Sequence, residues 1–434
     1  MHILLFLLFF VLFAGRTLGL DLSLAPGLSV KNAFLYLIFG ILAIETALTR
    51  GRKLEALPVL APFALYVLYA IFSWVTVLLL LDYPAYSLRA TLISLKAGPV
   101  EGLLVLLIFF YGLSDRRRAI WLLAAMTWTV IVGNLVTVVD TLDMPDLGLI
   151  GEGEPGRTGG PIGHPNEFAA FVAMFVPAMV ALIWTSSGFK RWLAIAGLFV
   201  SGVAFLMAVS RGAIVGLAIG AVGGAYFLRK LIPARMLVSG AAATVVVAGV
   251  FVAVAFVMGQ GELLVERFKL FAGSGYDASS GRTVIWGNAI ASMMEKPITF
   301  ITGYGWHAYE TSLDFHFATH NEYLNILYNL GAVGLGLFLL SLLNAFVIAR
   351  TAIANADAAT RPFLFAFVFG FLSLLVTLVF SELYSTWLFA WAFVGISMRI
   401  AVSSIEAVSS SNSAPGPATL GVRKVKTQYL QSDG

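Results

Sequence analysis

The sequence predicts an all-α polytopic integral membrane protein with about twelve transmembrane helices, and three observations carry that prediction. Of the 434 residues, 59% are hydrophobic and 12% are charged, against roughly 25% charged in a soluble globular chain. With a mean hydropathy of +0.91, the chain has too few charges to cover a water-facing surface, so lipid must be the solvent for most of it. Apolar runs of the length needed to cross a bilayer recur along the chain, and the basic residues fall mainly in alternate loops between them. A soluble enzyme is excluded. Cysteine is absent, which also excludes disulfides, thiolate metal sites and a cysteine nucleophile.

Each helical crossing takes about 20 apolar residues, because backbone groups left unpaired in hydrocarbon are costly. The runs fall at 2–20, 31–48, 57–81, 98–113, 119–139, 166–186, 191–209, 212–228, 236–258, 321–349, 362–380 and 384–400. The first has no basic segment before it, and Arg16 stands where a cleavable signal would carry small residues, so it reads as a retained span. With the N-terminus inside, one side receives Arg50, Arg52 and Lys53, the Arg116 to Arg118 triplet, Lys190 and Arg191, Arg229, Lys230 and Arg235, Arg350, Arg361 and the basic residues from Arg399 onward. That side holds 17 of the 27 basic residues. The positive-inside rule therefore places both termini in the cytoplasm.

The opposite side receives loops at 140–165 and, between spans nine and ten, at 259–320. Residues 1–402 thus read as one membrane domain, and 403–434, rich in Ser, Pro and Gly, as a disordered cytoplasmic tail. In span eight, Gly212, Gly216, Gly220 and Gly224 recur at every fourth position, a smooth face suited to close helix packing.

Four features on the outer side could carry chemistry. Gly163-His164-Pro165-Asn166-Glu167 opens span six, with Pro165 suited to a first helical turn. Ser210-Arg211-Gly212 joins spans seven and eight with almost no loop, so Arg211 either snorkels or faces a polar cavity, where its planar fork suits a phosphate. In Ser279-Ser280-Gly281-Arg282-Thr283, serine caps precede a helix with Ile285, Trp286, Ala289, Ile290 and Met293 on one face. Arg282 in its first turn opposes the helix dipole unless an anion binds beside it. Thr319-His320-Asn321-Glu322 matches a capping box, which puts His320 in the first turn of span ten. There the dipole favours neutral imidazole, the form a general base requires. No HExxH, Walker loop or carboxylate-rich metal cluster occurs, so no metal or cofactor is expected.

In order and placement these motifs, together with Gly303-Tyr304-Gly305 and His320-Asn321-Glu322-Tyr323-Leu324 running on to Gly331, resemble the O-antigen ligase superfamily of lipopolysaccharide ligases and related polymerases. The resemblance covers about 150–340 by motif and the rest by topology alone. His164 departs from it, standing where relatives commonly have asparagine. The resemblance implies a metal-independent GT-C-type glycosyltransferase of the bacterial inner membrane. It would transfer a glycan from undecaprenyl pyrophosphate to a sugar hydroxyl of lipid A-core at the periplasmic face, with inversion. Arg211 and Arg282, with Arg267 as a further candidate, would hold the pyrophosphate, and His320 would take the proton of the attacking hydroxyl. Asn166, Glu167, Asn321 and Glu322 are candidates for orienting sugars or the histidine. The alternatives are an O-antigen polymerase, whose acceptor is a second polyprenyl-linked glycan, and a lipid-linked glycan transporter. A transporter would carry its charges near the midplane, often with broken helices. Nucleic acid is not an expected partner.

Overall fold

The computed structural model describes residues 1–19, 22–49, 57–81, 83, 86–142, 157–232, 281–312, 318–383 and 387–413, with five isolated positions between 249 and 265. The helices are α1 (His2–Ala14), α2 (Val30–Leu48), α3 (Leu60–Leu80), α4 (Leu88–Leu95), α5 (Glu101–Tyr111), α6 (Arg116–Thr141), α7 (Pro165–Thr185), α8 (Gly188–Met207) and α9 (Arg211–Leu228). An outer segment holds α10 (Arg282–Glu295), α11 (Thr299–Thr302) and α12 (Ala308–Ser312). The chain then re-enters the bundle as α13 (Glu322–Asn355), α14 (Arg361–Thr377) and α15 (Trp387–Ser413). Among the described residues nine stretches are long and apolar enough to cross a membrane, and α1 and α14 are shorter apolar helices. The chain is a polytopic membrane protein. The predicted ninth span, 236–258, lies outside the described residues, as do Ser279, Ser280 and the tail beyond Ser413.

Three local features depart from the sequence reading. Strands β1 (Ser23–Ala25) and β2 (Leu28–Ser29) pair antiparallel, because Pro26 and Gly27 form the corner and Gly27 sits at φ +78°, as a type II turn requires. The fourth span starts at Leu88 and not at 98, since a π-helical turn at Lys96–Val100 takes in Pro99 without ending the helix. The last helix continues through Ser413, taking in eleven residues of the segment read as tail, and the side chains it buries there include Ser404.

A break inside α13 shapes the outer end of the bundle. Gly331 has φ +62° and ψ −170° within an otherwise helical run, which frees the carbonyls of Tyr328 and Asn329 from their helical partners. Both are taken up by the chain just upstream: Tyr304 N–H donates to the Tyr328 oxygen at 2.8 Å and Gly305 N–H to the Asn329 oxygen at 2.9 Å. Irregular backbone at membrane depth persists only when protein satisfies it in this way. The Gly303-Tyr304-Gly305 motif is thus the plug of a broken helix.

The two most buried spans, α7 and α15, form the axis. Phenylalanines interlock between them and α1: Phe13 stacks on Phe171 at 5.3 Å, and Phe389 meets Phe171 edge-on at 5.1 Å. Trp391 stacks on Phe63 of α3 at 3.8 Å. The glycine face of α9 lies on α14: a Cβ on Gly212 would come within 2.6 Å of Phe380 Cβ, and side chains on Gly216 and Gly220 would collide with Thr377 and Ser373. At the opposite end, Arg116 meets Asp357 at 2.6 Å and Arg399 donates to the Ser114 carbonyl at 2.7 Å, which brings together loops assigned to one side by their charge.

Candidate functional site

Four helix starts meet at the end of the bundle away from those basic loops. α7 begins at Pro165 after His164, α9 at Arg211 after Ser210, α10 at Arg282 after Gly281, and α13 at Glu322 after Asn321. The chain leaving α14, through Phe380 to Leu383, forms the remaining wall. The contacts that join them are specific. Phe380 seats against Gly212, Glu322 N–H donates to the Leu378 carbonyl at 2.9 Å, and Leu383 N–H donates to Glu322 Oε2 at 3.3 Å. Helix N-termini expose unpaired N–H groups and partial positive charge, so an anion is the fitting occupant.

Cations are concentrated at the same place. Arg211 and Arg282 are each the first residue of their helix. Arg157, on the loop before α7, donates from Nε to the Ala208 carbonyl at 3.0 Å and from Nη2 to Asn166 Oδ1 at 2.7 Å. The neighbouring Thr158 N–H donates to the Met207 carbonyl at 3.2 Å, so this loop is stitched to the α8–α9 turn that presents Arg211. That turn is tight enough to force Val209 to φ +47°, a strained position for a β-branched residue. Burial, and then the charges of Arg211 and Arg157, pull the Arg282 guanidinium below its ordinary pKa. Arg211 and Arg157 therefore both stand within electrostatic reach of Arg282.

His320 lies just before α13, half-buried, at φ +51°. The expected capping box does not form. Asn321 is the cap, its Oδ1 accepting the Leu324 N–H at 3.1 Å, and His320 precedes the helix because the Thr319 hydroxyl is used elsewhere. That hydroxyl shares its one proton between the Glu382 carboxylate and the Asn321 carbonyl, the latter at 2.9 Å, and accepts the Asn321 N–H at 3.2 Å. Trp286, one turn along α10 from Arg282, donates its indole N–H to the Thr319 carbonyl at 2.8 Å. The α10 segment bearing Arg282 and the segment bearing His320 are thereby joined. The expected serine cap of α10 is also replaced, by Gly281 at φ +83°.

The structure thus gathers Arg211, Arg282, His320, Asn166, Glu167, Asn321 and Glu322 around one end of the bundle. Asn166 carries Arg157, and Asn321 closes a helix. Glu167 and Glu322 are buried and close enough to feel each other's charge, with Glu382 also acting on Glu322. Arg267 and His316 lie outside the described residues. His307 is set apart in the wall of the outer segment, with Nδ1 at 3.2 Å from Ser94 Oγ and Nε2 at 3.2 Å from Glu310. Burial lowers its imidazole pKa, against the opposing pull of Glu310.

Sequence reasoning missed Arg157 and Glu382. Both carried the signal that exposed Arg211: Arg157 is the lone basic residue of the 140–165 loop, against the topological trend, and Glu382 is a charge in a turn of a few residues between two spans.

The structure is thus that of a polytopic membrane protein whose apolar spans gather arginines and a histidine at one end, where helix N-termini also converge. Residues 196–339, about a third of the chain, match the family model described as O-antigen ligase, so the resemblance of this chain is to that superfamily. The match takes in Arg211, Arg267, Arg282 and His320, while Arg157, Glu167 and Glu382 lie beyond it. No curated protein matches the chain.

Proposed function

We propose that the protein is an O-antigen ligase of the bacterial inner membrane, with both termini in the cytoplasm and the site at the periplasmic face. The observation that carries the reading is that Arg211 and Arg282 open two converging helices, with Arg157 bonded to the turn that presents Arg211, and that the Arg282 helix is tied to the His320 segment through the Trp286 to Thr319 hydrogen bond. Three half-buried cations, two of them opposed by the dipoles of the helices they open, call for a multiply charged anion, and the pyrophosphate of a polyprenyl-linked glycan is one whose lipid chain stays in the bilayer.

In this reaction the bond between the anomeric carbon and the pyrophosphate oxygen breaks while a sugar hydroxyl of lipid A-core attacks from the opposite face. Charge grows on the departing pyrophosphate, where preoriented guanidiniums and helix N–H groups stabilise it, a role in which they replace a divalent cation. His320 takes the proton of the attacking hydroxyl. The products are glycosylated lipid A-core and undecaprenyl pyrophosphate.

Reconstitution of the purified protein with lipid-linked glycan and two alternative acceptors tests the reading. Transfer to lipid A-core with release of undecaprenyl pyrophosphate is expected. Growth of the polyprenyl-linked glycan with untouched lipid A-core would identify a polymerase, and movement of the donor across the vesicle without bond cleavage a transporter.

A further inference from the structure

We infer that Glu382 and Thr319 form a clamp that positions His320, an inference that rests on the transferase reading for its kinetic consequence but not for its geometry. His320 is one of three non-glycine residues with positive φ among the described residues. A residue holds such a conformation only when its surroundings over-determine it. Both of its chain neighbours are fixed. On one side the Thr319 carbonyl receives the Trp286 indole N–H at 2.8 Å and the Thr319 hydroxyl donates to Glu382. On the other, Asn321 caps α13 and returns its N–H to the Thr319 hydroxyl at 3.2 Å.

The carboxylate end of the clamp is itself anchored. Glu382 is 5% exposed and Thr319 fully buried, and both flanks of Glu382 are held. Leu383 N–H is bonded to Glu322, and Phe380 packs on Gly212, the residue after Arg211. The corner between α14 and α15 therefore fixes the start of the Arg211 helix and, through one side-chain hydrogen bond, the backbone on which His320 is mounted. Glu382 is a positioning residue that sets the distance between the proton acceptor and the cationic ring. A buried carboxylate accepting a hydroxyl hydrogen bond is directional enough for that task.

The test compares Thr319→Val, Thr319→Ser, Glu382→Ala and Glu382→Gln in the full-length protein, each assayed per monodisperse molecule. Thr319→Val and Glu382→Ala are expected to lower kcat by about 10- to 100-fold, the scale of a misplacement near 1 Å, with the donor KM little changed. Thr319→Ser and Glu382→Gln restore a donor or an acceptor and should recover most of the loss. Wild-type kcat in Thr319→Val, or a serine variant as impaired as the valine one, would overturn the inference, as would losses confined to the yield of folded protein. A second readout does not depend on the reaction: the rate of diethyl pyrocarbonate modification at His320, followed by mass spectrometry. It should rise severalfold in Thr319→Val and Glu382→Ala, and an unchanged rate in both overturns the clamp. If the wild-type protein releases no polyprenyl pyrophosphate, the transferase reading fails on its own, and the modification rates still decide the clamp.

Discussion

A guanidinium at the first residue of a helix works against the helix dipole, and one that is also buried works against desolvation. Arg282 bears both penalties and the repulsion of two further arginines. Such a group persists where a bound anion offsets the cost. Replacing Arg282 or Arg157 by alanine is therefore expected to cut turnover by about 10²–10³-fold, the usual loss for one preoriented donor. Arg157→Lys should recover little, because an ammonium cannot hold the Ala208 carbonyl and Asn166 together as the planar fork does; full activity in Arg157→Lys would remove the fork from the mechanism. His320→Ala should lose at least about 10²-fold in kcat at unchanged detergent stability, and a fully active variant would exclude the imidazole as base. Arg211 and Arg282 were legible in the sequence because they oppose the charge trend of their loops. Arg157 obeyed the same logic but sat among acids. The true cap, Asn321, was obscured because Thr319 and Glu322 have the spacing of a capping box, and only the fold shows that Glu382 claims the threonine hydroxyl.

At the scale of elements, the glycine face of α9 was readable from its period of four, and its partner α14 was not, since nothing in an apolar span announces which neighbour it meets. Because Thr377 and Ser373 fill the space above Gly216 and Gly220, Gly216→Leu should destabilise the protein by about 1–3 kcal/mol or more, visible as a lower midpoint of thermal unfolding in detergent. An unchanged midpoint would mean that the two helices are not in close contact. Asn321→Ala removes the cap of α13 and should cost about 1 kcal/mol, read in the same assay. The break at Gly331 and the π turn at Lys96–Val100 were hidden for one shared reason: hydropathy is continuous through both, and their hydrogen bonds are settled by distant backbone or by ring accommodation. The helix break also bears on the transporter alternative. Its carbonyls are filled by Tyr304 and Gly305, so they are not offered to an ion.

For the whole molecule, the absence of cysteine makes orientation directly measurable. Ser114→Cys lies at the basic end and Ser312→Cys on the outer segment. An impermeant maleimide added to spheroplasts should label Ser312→Cys alone, and labelling of Ser114→Cys instead would invert the topology. The arginine account further predicts that chelators leave turnover unchanged. Activity lost in EDTA and restored by one particular metal would replace the guanidiniums with a cation as the main charge acceptor. At this scale composition carried the helical, polytopic character of the chain, because lipid imposes a length on every span. The convergence of four helix starts was beyond its reach, since it depends on which spans pack side by side.

The broken span has a consequence for biogenesis. A translocating helix ordinarily enters the bilayer with its backbone already satisfied, but α13 cannot, because two of its carbonyls, about 9–11 Å from its outer end at 1.5 Å per residue, await partners from residues 304 and 305. Orphaned in hydrocarbon, each would cost several kcal/mol. The outer half of this span therefore reaches its final state only after the segment made just before it has folded down.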